Sequence, residues 1–275
     1  MITRETGRGG TRAAMTEGAM PRPGRLLPAW RQALAVVAHP DDETFGLGAV
    51  ADRFTAGGTA VHVLCFTHGE ASTLNENHAE LRRARDWELR QAAAELGVVT
   101  VTLLDYPDGH LAAVPPGELS GHVTRLAARH GAEGLLVFDE TGITGHPDHQ
   151  TATRAAMHAA RTGPLPVLAW ALQDTVADRL REETGEAFKG QPPGRIDLCI
   201  RVDRARQRRA ALRHASQISP AAVLWWRLQL QGDCEHLRWL LPPGGFGGSL
   251  AGEPCRLCAS CGSARGSGIS AGRLL

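Results

Sequence analysis

Six apolar residues, Ala33-Leu34-Ala35-Val36-Val37-Ala38, run straight into His39-Pro40-Asp41-Asp42-Glu43, and this junction constrains the chain more than any other feature. A short apolar run that ends at a proline turn and leads into helix-permissive sequence reads as a strand buried on both faces. Such strands belong to parallel sheets covered by helices, where ligands bind beyond the carboxyl ends of the strands. Leu135-Leu136-Val137-Phe138 is a second apolar run, and His146-Pro147-Asp148-His149 follows it. Two His/Asp clusters beyond two strand ends suggest one cation site assembled from distant parts of the chain.

Further strands are expected near 33–38, 60–67, 98–105, 134–139, 167–173 and 195–202, with helices near 46–56, 79–96, 118–130, 148–161, 203–214 and 221–230. In Glu80–Leu96 the apolar residues Leu81, Ala84, Leu89, Ala92, Ala93 and Leu96 fall on one helical face, and Gly97 supplies the stop. The alternation of strand and helix implies an α/β fold, a Rossmann-like three-layer sandwich with a mostly parallel sheet. Residues 1–28 and 243–275 are rich in Gly and polar residues without periodicity. They read as a flexible leader and tail around one domain, 29–242.

The charge balance of 30 basic and 29 acidic residues creates no global field toward nucleic acid or anionic membrane. No stretch approaches the ~20 apolar residues of a membrane span, and no apolar segment follows the N-terminal arginines as a secretory signal would require. A cytoplasmic protein is the resulting expectation; an oligomer is compatible with everything above. Cys65, Cys199 and Cys234 lie in or near apolar stretches and read as core residues.

A dinucleotide site needs a Gly-x-Gly-x-x-Gly turn after the first strand. Here the carboxylates of Asp41, Asp42 and Glu43 would repel phosphate and favour a cation. Imidazoles and carboxylates are zinc ligands, and a catalytic site keeps a position open for water. The economical triad is His39, Asp42 and His149, which leaves Asp41 and His146 as an acid/base pair. Two histidines and a carboxylate also make the facial triad of iron(II) oxygenases, a second reading.

The segments Ala38–Glu43 and His146–His149 resemble the two signature motifs of the LmbE-like, or PIG-L, N-acetylglucosamine deacetylase family. Thr67-His68-Gly69-Glu70, Arg85 with Glu88, Pro107-Asp108-Gly109 and His214-Ala215-Ser216-Gln217 resemble weaker family patterns in the expected order. The resemblance implies a metal-dependent N-deacetylase carrying one zinc ion per chain. Its substrate would be a small glycoconjugate, an N-acetylglucosaminyl conjugate: a glycopeptide antibiotic pseudoaglycone, an inositol conjugate or another small sugar conjugate. It also implies zinc ligands at His39, Asp42 and His149, a general base at Asp41 and an oxyanion-stabilising residue at His146 that also protonates the amine. Asp148 would orient or tune a histidine, and Arg85 and Asp108 would contact substrate. A carboxylate behind His146 would raise its pKa, and Asp148 is the candidate.

Three features stand outside that pattern. Cys255-x-x-Cys258-x-x-Cys261 could bind metal but lacks a fourth ligand nearby, so a tail without function is the expectation. Trp225, Trp226 and Trp239, placed together in a final helical region, read as packing residues, with an aromatic substrate wall as the alternative. His68 and His110 fall in loops at the strand-end face, within reach of a substrate.

Overall fold

The computed structural model describes residues 26–72, 78–219 and 222–244. Its strands are β1 (Gln32–Val37), β2 (Ala60–Thr67), β3 (Thr100–Tyr106), β4 (Gly134–Phe138), β5 (Val167–Gln173), β6 (Gly190–Gln191), β7 (Leu198–Arg201) and β8 (Cys234–Leu241). They form one sheet in the order β3-β2-β1-β4-β5-β8-β7, with β6 beside β5. β1 to β5 run parallel, and β8 lies antiparallel between β5 and β7. The helices are α1 (Asp42–Phe45), α2 (Gly48–Ala56), α3 (His78–Glu95), α4 (Pro116–His130), α5 (Gly142–Gly145), α6 (Pro147–Thr162), α7 (Asp174–Thr184), α8 (Ala205–Ala211) and α9 (Val223–Gln231).

The period of two along β1 explains the three layers. Ala33, Ala35 and Val37 face one core with Val50 and Phe54 of α2 and Leu180 of α7. Leu34, Val36 and Ala38 face the other with Val123 of α4 and Ala155 and Ala156 of α6. Because both faces are dry, the strand reads as a continuous apolar run rather than an alternation. Each fully buried Val or Leu contributes roughly 1.5–3 kcal/mol. Chain direction around the sheet reverses between β1 and β4, the neighbours at its centre. The two His/Asp clusters leave these two strands, so they emerge side by side at the switch point of the sheet.

Two expectations change. Trp239 lies in β8, not in a helix, and packs edge-on against Trp30 with ring centroids 6.0 Å apart. The polarity of Glu235, His236 and Arg238 hid this strand, yet Glu235 and His236 are buried. Glu235 is paired there with Arg204. The short α1 and α5 and the helix α7 were also unforeseen. Most of the leader and tail, with Cys255, Cys258 and Cys261, lies outside the described residues. Among the described residues no helix is long and apolar enough to cross a membrane.

Gly134 opens β4 directly beneath the Trp30 indole, which stacks on Phe54 at 5.5 Å. A Cβ at Gly134 would stand 2.1 Å from that ring. Gly134→Ala should therefore cost roughly 1–3 kcal/mol by overpacking, read as a lower urea midpoint with an unchanged slope. An unaltered midpoint would show that Trp30 can move aside freely.

Candidate functional site

The turn after β1 is built around Asp42. Its Oδ2 accepts the backbone N–H groups of Ala38 at 3.1 Å and His39 at 2.9 Å, so the carboxylate is fixed before any ligand arrives. Its Oδ1 lies 3.1 Å from His149 Nε2, and its Oδ2 lies 3.6 Å from His39 Nδ1. His39 Nδ1 and His149 Nε2 are themselves 3.2 Å apart. Donor atoms held 2.0–2.1 Å from a tetrahedral ion are separated by roughly 3.3 Å. The His39–His149 separation is close to that value, and Asp42 meets each ring through a different oxygen.

The outward nitrogens decide what the inward ones offer. His149 Nδ1 faces the Gly142 carbonyl oxygen at 3.2 Å and donates to it. His39 Nε2 faces Asp108 at 3.0 Å and Asp148 at 3.5 Å. His149 turns Nδ1 to a carbonyl and His39 turns Nε2 to two carboxylates, so the remaining nitrogens face each other, an arrangement that a shared cation satisfies. Burial opposes charge on His39, but Asp108, Asp148 and Asp42 outweigh it and hold the imidazole well above the usual histidine range. Burial likewise opposes charge on Asp42, and His149 and His39 overcome it and hold the carboxyl well below its usual range. The pocket demands positive charge. Among the described residues, the groups whose donor atoms all lie within 4.8 Å of one another are His39/His146/His149 and His39/Asp108/Asp148, both of which contain His39. Both oxygens of Asp148 already accept backbone N–H groups, from Gly109 at 2.8 Å and Leu111 at 3.1 Å. Asp108 Oδ2 accepts that of Ala71 at 2.9 Å. Both carboxylates are thus anchored by backbone donors and turned toward His39 Nε2.

His146 caps α6, and its Nδ1 accepts the N–H of Asp148 at 3.2 Å. The neutral ring must then carry its proton on Nε2. Burial, with His149 and His39 close by, holds this imidazole below the usual range and outweighs the pull of Asp148. The expected rise is thus corrected: Asp148 does pull the His146 pKa upward, but burial outweighs it, and the Asp148 carboxylate lies against His39.

Asp41 has φ 106°, and Ile143 has φ 66°; among the described residues they are the non-glycine positions with positive φ. Both line the cavity, where such strain persists only if neighbours enforce it. Glu43 accepts the Asp41 N–H at 2.9 Å and is held by buried His214 at 2.8 Å. Arg85 reaches Asp41 Oδ2 at 3.0 Å and donates to the carbonyl oxygens of Pro40 and Gly69. Burial pushes the Asp41 carboxyl up to about 6, against the pull of Arg85. Glu43 and His214 stood in recognisable motifs without a role, because only the fold shows that they meet.

The cavity beyond these groups has a volume of about 590 Å³. Phe45, Phe138, Ile143, Trp170 and Phe188 are among its apolar lining residues, with Phe138 packed on Trp170, and Ser72, Asp108 and Gln217 are among its polar ones. Trp225, Trp226, Trp239, His68 and His110 are not among its lining residues. The indole that lines it is Trp170, whose Nε1 donates to Glu235 at 2.6 Å.

If Asp148 orients His39, Asp148→Asn should weaken binding of a divalent cation by about tenfold to a hundredfold with the fold intact. Chelator competition measures this directly; unchanged affinity would leave Asp148 with a structural role only.

Residues 34–160 match the family model described as PIG-L, GlcNAc-PI de-N-acetylase. A 1D-myo-inositol 2-acetamido-2-deoxy-alpha-D-glucopyranoside deacetylase of Kribbella flavida is 31% identical over 226 residues, 63% of this chain and 75% of that one. The chain spans about half the length, 51–55%, of the first curated relatives it matches. The N,N'-diacetylchitobiose deacetylase of Pyrococcus horikoshii has the same fold, with TM-score 0.59, 20% identity and coverage of 78% and 85%. So does a teicoplanin deacetylase, at 0.58, 18%, 76% and 97%. A 4-carboxy-2-hydroxymuconate hydratase of Pseudomonas putida shares it too, at 0.59, 19%, 77% and 97%, so the fold alone does not choose the reaction. The family match from β1 to α6, with 31% identity across three quarters of the Kribbella protein, makes this chain a member of the PIG-L family.

Proposed function

We propose that this chain is a zinc-dependent N-deacylase that removes an acyl group, acetyl in the first instance, from the 2-amine of a glucosamine conjugate. The observation that carries the reading is the convergence of His39 Nδ1, Asp42 and His149 Nε2 within 3.1–3.6 Å of one another, beside the carboxylate of Asp41. Zinc held by those three groups would act as a Lewis acid on the amide carbonyl and make a water acidic enough, near pKa about 7, to attack at neutral pH.

The remaining steps belong to side chains. Asp41, aimed by Arg85 and Glu43, accepts a proton from the attacking water as its oxygen bonds to the acyl carbon. The carbonyl oxygen gains negative charge, and His146 Nε2–H donates to it; a donor of this kind is worth about 3–4 kcal/mol. As the carbon–nitrogen bond breaks, the Asp41 carboxyl returns its proton to the leaving amine. Arg85 and Asp108 line the cavity, and in this scheme they also position its groups, Arg85 by holding Asp41 and Asp108 by facing His39.

Two acceptors are in view. Membership beside inositol-conjugate deacetylases supports a GlcNAc-inositol type of substrate. The aromatic lining of Phe45, Phe138, Trp170 and Phe188 favours a bulkier glycopeptide pseudoaglycone. Acetate release from the two compounds, compared on one preparation, separates them. The iron(II) oxygenase alternative loses support from the parallel α/β sheet and the family membership.

Asn tolerates positive φ better than Ala, so Asp41→Asn is the cleaner removal of the base. It should retain one zinc per chain and lower kcat by at least about 100-fold. Metal analysis and acetate release read the two effects separately, and turnover close to wild type would reject Asp41 as the base. Stripping the metal with a chelator should abolish turnover, with zinc restoring it.

A further inference from the structure

The cavity holds a charge that the reaction does not use. Arg227 on α9 is buried and lines the cavity. Its guanidinium lies 4.7 Å over the Trp170 ring and donates to the Phe45 carbonyl oxygen. A guanidinium offers five N–H donors in a planar fork, and the Phe45 carbonyl is its hydrogen-bond acceptor among the described residues. Glu235, the acidic group that acts on it, is committed elsewhere: it pairs with Arg204 and accepts from Trp170 at 2.6 Å and Gln231 at 3.1 Å. Burial pulls Arg227 down to about 10 despite Glu235, and Arg204 repels it further. A buried charge without a close counter-ion is costly, and an anionic ligand would offset that cost.

Its place in the cavity is defined by successive contacts. The His149 ring meets Phe138 at 5.0 Å, Phe138 meets Trp170 at 5.3 Å, and Arg227 stacks on Trp170. Arg227 thus lines the same cavity as His146, and a conjugate with its acyl group at His146 would extend toward it along the side that Phe138 and Trp170 line. We propose that Arg227 is a specificity-determining residue that binds an oxyanion, carboxylate or phosphate, on the part of the substrate remote from the acyl group. The inference rests on the deacylase reading for what lies at the near end. A purely structural arginine tying α9 to α1 would be indifferent to ligand charge.

Calorimetric titration of the zinc-loaded full chain with N-acetylglucosamine, N-acetylglucosamine 6-phosphate and N-acetylmuramic acid tests this. At least one anionic sugar should bind about tenfold more tightly than the neutral one, and the sugar that gains identifies the oxyanion. Arg227→Gln should bring all three within about twofold, while Arg227→Lys keeps part of the preference, having charge but no fork. Equal binding of all three sugars by the wild-type protein overturns the proposal, whether or not Arg227→Gln folds; so does a preference that survives in Arg227→Gln. Acetate release from the same sugars is followed in parallel. Charge preference with no acetate release from these sugars, the inositol conjugate or the pseudoaglycone keeps Arg227 and rejects the deacylase, and release without charge preference does the reverse.

Discussion

The Asp42 carboxylate joins the two halves of the site, and the rest of the arrangement depends on it. One oxygen is tied down by two backbone N–H groups of its own turn, and the other meets a histidine from beyond β4. A side chain anchored in this way loses little freedom when it takes a ligand, because the ordering is complete in the folded chain. The two turns can meet only because β1 and β4 are parallel neighbours, paired from Ala33 opposite Gly134 to Ala35 opposite Leu136. Dry packing on both faces of β1 therefore underwrites the chemistry at its end.

Around that joint the chain places groups that would be costly anywhere else. Asp41 is held in a left-handed backbone conformation, next to a second carboxylate and largely out of water. Three partners make this tenable: Glu43 on its N–H, Arg85 on its carboxylate, and His214 behind Glu43. The same logic applies to His39, whose outward nitrogen is met by Asp108 and Asp148 from two other loops. Asp139 extends it to the second turn, with oxygens shared among Thr141 N–H, Gln191 and Arg238. Negative charge is concentrated at the switch point and then distributed over backbone donors and cations that hold each carboxylate in one direction.

Much of this was legible because local chemistry and global role coincide. Apolar runs that stop at His-Pro-Asp announce both a buried strand and a polar strand end, so His39, Asp42 and His149 could be singled out before any contact was known. Pro147 at the first position of α6 marks the helix start that lets His146 cap it and His149 face inward. β8 was illegible for the converse reason. Its buried Glu235 and His236 break the apolar pattern, and the partner that makes Glu235 tolerable, Arg204, lies 31 residues earlier. The direction of Asp148 was misread on similar grounds: proximity in sequence pointed to His146, whereas its carboxylate turns to His39 and the backbone of Gly109 and Leu111.

The amino-acid sequence by itself determined the layered α/β architecture, the strand ends that carry the polar groups, and the residue types able to hold a cation. Periodicity and residue chemistry are local properties, and they survive reading one residue at a time. Tertiary structure alone decided which nitrogen of each histidine faces inward, which carboxylates stand behind which ring, and that Arg227 stacks on Trp170 in the cavity that His149 also lines. Those are matters of orientation between segments far apart in the chain, set by packing and hydrogen bonds formed only when the sheet closes around its central pair of strands.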